Sequence, residues 1–337
     1  MPQDGKLTRW VSTVYSQMST SVRTAPRSWQ SHDEGRPDHR EHAAIGNVFM
    51  GKALREHGGN LPQDCYAMVL DPLMVYSCAY FERGDEDLAT AQLKKIDHVL
   101  TKIGLEPGQH LLDVDCGWGA LVIRAAEKFG ARCVGITQSK NQFDWANESV
   151  KKANLTDRVE IRLQAYPDVK GSFDRITSLG LFEFDSRGDL LEYFSVLQER
   201  LAADGVLVSH GIMSAGRGNG NVRLSGGEFS SPYSLTDDEL PDLGHALTAM
   251  RAGGLEVSDV NNLRRHCVRT LQLWEENLRA ASIAERQYID DRSLCAWRDH
   301  LNEWATAFEH DDATIYEIVG RKVGTPVSAL PWPGGVG

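Results

Sequence analysis

From about residue 88 the chain alternates short apolar runs with amphipathic stretches, and this alternation restricts the fold more than any other feature. The runs His110–Asp115, Arg132–Thr137, Val159–Leu163, Phe173–Leu179 and Val206–Ile212 have the length and apolar character of strands covered on both faces. Helices are expected between them over Ala120–Phe129, Asn141–Ala153 and Asp189–Leu201. Another is expected over Ala89–Ile103, with Leu93, Ile96, Leu100 and Ile103 on one face and Gly104 and Pro107 as its stop. Two further strands, Glu256–Leu263 and Thr314–Lys322, bracket a long helical stretch from Thr270 to Glu309. The pattern predicts an α/β fold: a doubly wound, mostly parallel, seven-stranded sheet with an N-terminal helical arm and helical cap insertions.

The first strand runs through Asp113 into Asp115-Cys116-Gly117-Trp118-Gly119 and then a helix. Ligands of open α/β sheets bind beyond the carboxyl ends of the strands, where helix N-termini present free N–H groups. Gly117 and Gly119 let the backbone approach a ligand, and Asp113 can accept from an ammonium or orient the turn. The turn is neither G-x-G-x-x-G, because Asp115 holds the first glycine's place, nor a phosphate-gripping P-loop. Alone, it serves many ligands, or none if it is merely a tight turn.

Composition excludes several classes. Lys plus Arg number 36 against 47 Asp plus Glu, a net −11, so neither nucleic acid nor an anionic bilayer surface is an expected partner. No apolar run reaches the ~18 residues of a membrane span, and Met1 to Gln17 lack a signal peptide's apolar stretch. Cys65, Cys78, Cys116, Cys133, Cys267 and Cys295 include no C-x-x-C pair, which points to no metal site and to reduced thiols in a cytoplasmic protein. Residues 1–70 read as an N-terminal arm: Leu7, Trp10, Val11 and Val14 recur at helical spacing, and the stretch from Arg23 to His42 has little to bury. Residues 71–323 read as the main domain, with cap elements near 215–245 and 270–309, and 324–337 as a frayed tail. Thr236-Asp237-Asp238-Glu239 reads as a helix start, and Glu285-Arg286 and Asp290-Asp291-Arg292 as a solvated helix face. Trp274, Trp297 and Trp304 read as core or pocket wall. The oligomeric state is not legible.

Five ordered motifs resemble the cyclopropane-fatty-acid synthase and mycolic acid methyltransferase family of class I S-adenosylmethionine (SAM) enzymes, over about Asp71 to Val323. They are Tyr76-Ser77-Cys78-Ala79-Tyr80-Phe81, the turn Asp113–Gly119, Val134–Gln142, Phe173–Phe184, and Arg269-Thr270-Leu271-Gln272-Leu273-Trp274. The resemblance implies a Rossmann-like SAM site. Tyr76, Ser77, Gly117 and Gly119 would hold the methionine end, with Asp113 at the strand end, Thr137 and Gln142 near the ribose, and Ala165 and Tyr166 near the adenine. It also implies a bicarbonate ion as base, held by Cys78, Glu183 and His210. The chemistry is coherent, because methylating an alkene leaves a cation and closing a cyclopropane then requires loss of a proton.

Departures cluster on the substrate and base side. Asp115 stands where the family has glycine, Phe184 where it has His, Cys267 where it has the Tyr that completes the bicarbonate site, and Glu309 where an Arg is common. The aromatic acyl-binding insert is replaced by a polar, glycine-rich loop from Gly216 to Tyr233. The first reading is a C-methyl or methylene transferase acting on an alkene of a soluble, acyl-like or polyketide-like small molecule, with Glu183, His210 and Cys78 at the reacting centre. The alternative is a methyltransferase fold repurposed as a non-methylating cyclase or isomerase, with Cys267 as nucleophile or as packing.

Overall fold

The computed structural model describes residues 63–180, 190–215, 240–281 and 289–324. Within them eight helices and seven strands follow in chain order: α1 Gln63–Ala67, α2 Leu88–Lys102, β1 His110–Val114, α3 Ala120–Phe129, β2 Arg132–Thr137, α4 Lys140–Lys152, β3 Val159–Leu163, β4 Phe173–Leu179, α5 Leu190–Arg200, β5 Leu201–Ser214, α6 Leu243–Ala252, β6 Leu255–Asn262, α7 Arg264–Ala280, α8 Asp291–Glu309 and β7 Ala313–Lys322. The strands form one sheet in the order β3-β2-β1-β4-β5-β7-β6. The first five strands are parallel, and β7 runs antiparallel between β5 and β6. The chain order reverses between β1 and β4, so a cleft opens beyond their carboxyl ends.

Side chains alternate across the sheet and feed two cores. One holds Val206 and Val208 with α2 and α3; the other holds Leu207 with α5 and α6. A third cluster joins residues 65–91 to α7 and α8 through Trp274, Trp297, Trp304 and Phe308, with Ile212 and Ile315 reaching it from the sheet. The tryptophans are thus core, as the sequence indicates. Cys65, Val69 and Leu70, inside the expected arm, pack in this cluster too.

Several expected boundaries move for local reasons. β1 stops at Val114, because Asp115 turns to φ 59° and leaves the extended region. β5 is longer than the apolar run, since its pairing with β7 continues to Ser214 opposite Ala313. The single stretch expected from Thr270 is two helices, and the first begins at Arg264, whose N–H donates to the Asn262 side chain at 2.9 Å. Asp290, read as part of a solvated face, is the cap of α8 and accepts from the Ser293 N–H at 2.9 Å. α6 was not foreseen; Asp242 caps it. The amphipathic stretch near Leu7, the acidic run at 236–239, Glu285-Arg286, the loop 216–233 and the tail beyond Gly324 lie outside the described residues, and Leu240, which ends the acidic run, precedes the helix that starts at Leu243.

Candidate functional site

Two groups of residues meet at the cleft. The first is the glycine turn. The Cys116 N–H donates to Ile136 O at 2.9 Å, which ties the turn to β2. Gly117 has φ 55°, and a Cβ built there would meet nothing within 4 Å, so its backbone faces open space at the start of α3. Gly119, at φ 90°, is closed in: a Cβ would stand 3.2 Å from the Ala146 Cβ. The two glycines, alike in the sequence, differ here, with 117 facing open space and 119 packed against α4. Asp115 is exposed, yet the surrounding protein crowds it enough that desolvation pushes its carboxyl up to about 6.

At the next strand end, Thr137 donates its hydroxyl to Gln142 Oε1 at 2.6 Å and accepts from the Ser139 N–H at 3.1 Å. The Gln164 N–H donates to Thr137 O at 3.0 Å, which brings Ala165 and the turn Tyr166–Asp168 alongside. Tyr166 packs edge-on against Tyr193, with ring centroids 5.3 Å apart. Asp113 lies deeper than the sequence suggested: it is buried and accepts from the Thr177 hydroxyl at 2.6 Å. Burial pushes its carboxyl up to about 7, against the Thr177 bond and the charge of Lys95.

The second group is the segment from Asp71 to Glu86. Asp71 accepts from the N–H groups of Leu73 (2.9 Å) and Val75 (3.0 Å) and so sets the turn that delivers Tyr76. Lys95 of α2 donates to Ser77 Oγ at 2.8 Å, and Gln92 donates to Ser77 O at 2.8 Å. Helix α7 supplies the opposite wall. Thr270 Oγ1 accepts from the Ala79 N–H at 3.0 Å, His266 Nδ1 accepts from the Phe81 N–H at 3.0 Å, and Trp274 packs on Tyr76 at 4.9 Å. Tyr80 is stacked between His98 and His266, at 4.3 and 4.6 Å. Glu86 closes the segment by accepting from the backbone N–H groups of Glu82, Arg83 and Gly84 and from Lys94.

Between these groups lies a buried charged cluster. His210 Nε2 and Glu317 Oε2 are 2.9 Å apart, with relative exposures of 2% and 0%. Glu317 Oε1 is 3.1 Å from His98 Nε2 and 2.8 Å from Lys102 Nζ, which also reaches Asp259 at 2.7 Å. Burial opposes the Glu317 carboxylate, but the hydrogen bonds from His210 and His98 hold it well below the usual range. Burial lowers His210, with Glu317 opposing the fall and Lys95 and His98 adding to it. Lys95 is itself buried. Desolvation brings it down to about 8, against the charges of Asp113 and Asp71. One lysine therefore couples the glycine-turn strand, the Ser77-Cys78 segment and His210.

Cys78 and Cys267, both 1% exposed, sit in the same apolar cluster with Trp118, Ile212 and Ile315. The Cys78 thiol is directed at backbone carbonyls, Ala79 O at 3.4 Å and Leu263 O at 4.0 Å. Glu183 and Phe184 lie outside the described residues. Glu309, at the far end of α8, accepts from Gln272 at 3.2 Å on the exposed face. Lys95, His98 and Glu317 were missed in the sequence. The available signals were a Lys among the core-facing positions of an otherwise apolar helix face and a single Glu in the apolar run of β7. Among the described residues no helix is long and apolar enough to cross a membrane, and no group of three or more His, Cys, Asp or Glu is arranged to hold a metal ion.

The model of the mycolic acid cyclopropane synthetase family matches residues 52–318. A probable fatty acid methyltransferase of Pseudomonas putida is 35% identical over 292 residues, which cover 86% of this chain and 73% of that protein. Among solved structures, a mycolic acid cyclopropane synthase complexed with SAH and CTAB superposes with a TM-score of 0.70 at 31% identity, over 78% of this chain and 95% of its own. The (4+2)-cyclase SpnF, at 17% identity, TM-score 0.63 and coverage of 83% and 97%, shares the fold alone.

Proposed function

The chain belongs to the mycolic acid cyclopropane synthetase family, as a SAM-dependent enzyme of the methyl- or methylene-transferring type, and on that footing we propose that its substrate is an unsaturated, acyl-like small molecule presented in soluble form. The observation that carries this reading is the meeting of three features at one strand edge: a glycine turn open to a ligand, a buried charged cluster, and an apolar wall. SAM supplies an electrophilic methyl group. The residues present fit it, because the backbone at Gly117 faces open space at a helix N-terminus.

In this reading Gly117, Tyr76 and Ser77 take the methionine end, with Gly119 shaping the turn behind them. Thr137 and Gln142 face the ribose, and Ala165 and Tyr166 the adenine. Asp113 holds the strand end through Thr177, and Lys95 fixes the Ser77 hydroxyl. Cys78, Cys267, Trp118 and Trp274 form an apolar wall against which an alkene lies dry. Alignment and cation stabilisation are then the main contributions to rate. A net charge of −11 argues against docking on an anionic bilayer, so the chain would meet its substrate in solution. Cys267 serves as packing, since it stands buried among apolar side chains.

Incubation with methyl-labelled SAM and a free monounsaturated fatty acid, its acyl thioester, or vesicles of unsaturated phospholipid tests this. Label is expected in the first two; label only in vesicle lipid overturns the soluble-substrate reading, and no label in any overturns the whole. Gly117→Ala tests the cofactor site. The open backbone accommodates the methyl at a conformational cost of about 1 kcal/mol, whereas SAM affinity in calorimetry falls at least ~10-fold because the Cβ stands in the cofactor's path. Unchanged affinity would place the cofactor elsewhere.

A further inference from the structure

We propose that Asp115 is the counter-ion for the α-ammonium group of SAM, an acid that this chain carries at the head of the glycine turn where the family has glycine. The inference deepens the cofactor site described above and rests on the placement of the methionine end at Gly117.

The backbone presents this acid to the cleft. Asp115 follows β1 at φ 59°, a left-handed conformation that Asp tolerates better than most side chains. Its neighbours turn inward. Val114 belongs to the core, and the Cys116 thiol lies so close to Gly135 that a Cβ there would stand 2.8 Å from the sulfur. From Leu111 to Ala126, Asp115 is the one exposed residue. Yet protein atoms crowd around it, and this crowding is what raises its carboxyl. A side chain both open to solvent and crowded stands inside a concavity, and at this strand end the concavity is the cleft.

Nothing among the described residues compensates the charge. Asp113 has the Thr177 hydroxyl and the charge of Lys95, and Asp71 has the N–H groups of Leu73 and Val75 with the same lysine. On Asp115 desolvation is the whole cause, and no hydrogen bond or ion pair among the described residues reaches its carboxyl. Its charge instead raises Asp113 further, so the strand end has negative charge to spare. A carboxylate held in a crowded cleft without a donor calls for one from outside. The open backbone at Gly117 follows in the same turn. Lys95 donates to Ser77 Oγ, so the Ser77 hydroxyl keeps its own proton to give to the α-carboxylate. The chain thus offers a donor for one end of the zwitterion and an acceptor for the other.

SAM carries two cationic groups, and chemistry chooses between them. The sulfonium charge is consumed when the methyl group leaves, so a carboxylate beside it would stabilise the bound cofactor more than the transition state and slow transfer. The sulfonium also has no N–H to donate. The α-ammonium keeps its charge throughout, and its N–H groups suit a carboxylate. Pairing there strengthens the binding of SAM and of its product SAH alike.

Calorimetry on the full-length protein with SAM, SAH and 5′-methylthioadenosine, which lacks the amino-acid end, tests this. Asp115→Asn keeps the left-handed turn and removes the charge. It should weaken SAM and SAH to the same degree, about 10-fold or more, and leave 5′-methylthioadenosine within about twofold. Asp115→Gly should show the same pattern. Loss for SAM alone would move the carboxylate to the sulfonium, and loss for all three would make its role one of shape. Unchanged or tighter SAM binding would make it a bystander or an obstruction. Each of these overturns the inference. In urea unfolding of the unliganded protein, the Asp115→Asn midpoint should be no lower than that of the wild type, because the acid has no partner to lose. A lower midpoint would reveal a partner within the fold and overturn the inference too. Gly117→Ala separates this failure from that of the site. If it weakens SAM binding and Asp115→Asn does not, the counter-ion fails alone; if neither does, the methionine end lies elsewhere and both fail.

Discussion

At the residue scale the site holds ionisable groups where burial works against their charge. Asp113 is the plainest case. Its carboxyl is raised to about 7, and the unfolded chain returns it to the ordinary range near 3.8. A raised folded value means stability that is whole below the unfolded value and lost as pH rises through the folded one. Asp113→Asn keeps an oxygen for the Thr177 hydroxyl and removes that loss. The variant should gain about 1–3 kcal/mol at pH 8 and much less at pH 5, as read by urea unfolding. A gain equal at both values would show that the carboxyl is not raised. SAM affinity should fall in the same variant, since a site is commonly held at the expense of stability. These charges were hard to read in the sequence for a physical reason: His210 and Glu317 are 107 positions apart, and the partner comes from a neighbouring strand. Asp113, Gly117 and Gly119 were legible because their spacing is local.

At the scale of elements the motifs are joints. The Tyr76–Phe81 segment has no regular structure of its own. It is pinned to α2 through Ser77 and to α7 through Ala79, Tyr80 and Phe81. This explains why two motifs nearly 200 residues apart accompany one another: Thr270 is the acceptor for Ala79 N–H and donates to His266 O at 2.7 Å. Thr270→Val preserves shape and leaves the Ala79 N–H without its acceptor. It should cost about 1–3 kcal/mol in chemical denaturation and weaken SAM binding through Tyr76 and Ser77. A loss of stability with unchanged binding would mean that the segment is held by its other contacts. The strands were legible from their apolar runs alone. The start of α7 was not, because no side chain caps it at Leu263 and the Asn262 side chain accepts the Arg264 N–H directly where the strand ends.

At the scale of the whole molecule two acids govern behaviour at low pH. Glu86 loses solvation on burial, yet Lys94 and three backbone N–H groups hold it at about 2, and Glu317 is held well below its usual range. Lowered carboxyls contribute stability above the unfolded value, near 4.5, which disappears as pH falls toward 2. Burial also lowers His210, so its protonation penalises the fold once pH drops under 6.5. The fold should therefore weaken in two stages on acidification. Glu86→Gln should flatten the lower stage and leave the upper one, in urea midpoints measured from pH 7 to pH 3. An unaltered lower stage would transfer the effect to other carboxylates.

The position of β7 has a further consequence, for the order in which the protein is made. It is the last of the described strands in chain order, yet it sits inside the sheet between β5 and β6. Until residues 313–322 emerge, β5 is an open sheet edge and β6 has no strand to pair with, each a template for a stray chain. β7 thus closes an aggregation hazard and in the same movement delivers Glu317 to His210. A nascent chain stalled before Ala313 would be sticky and inert at once, and competence would arrive in one late event.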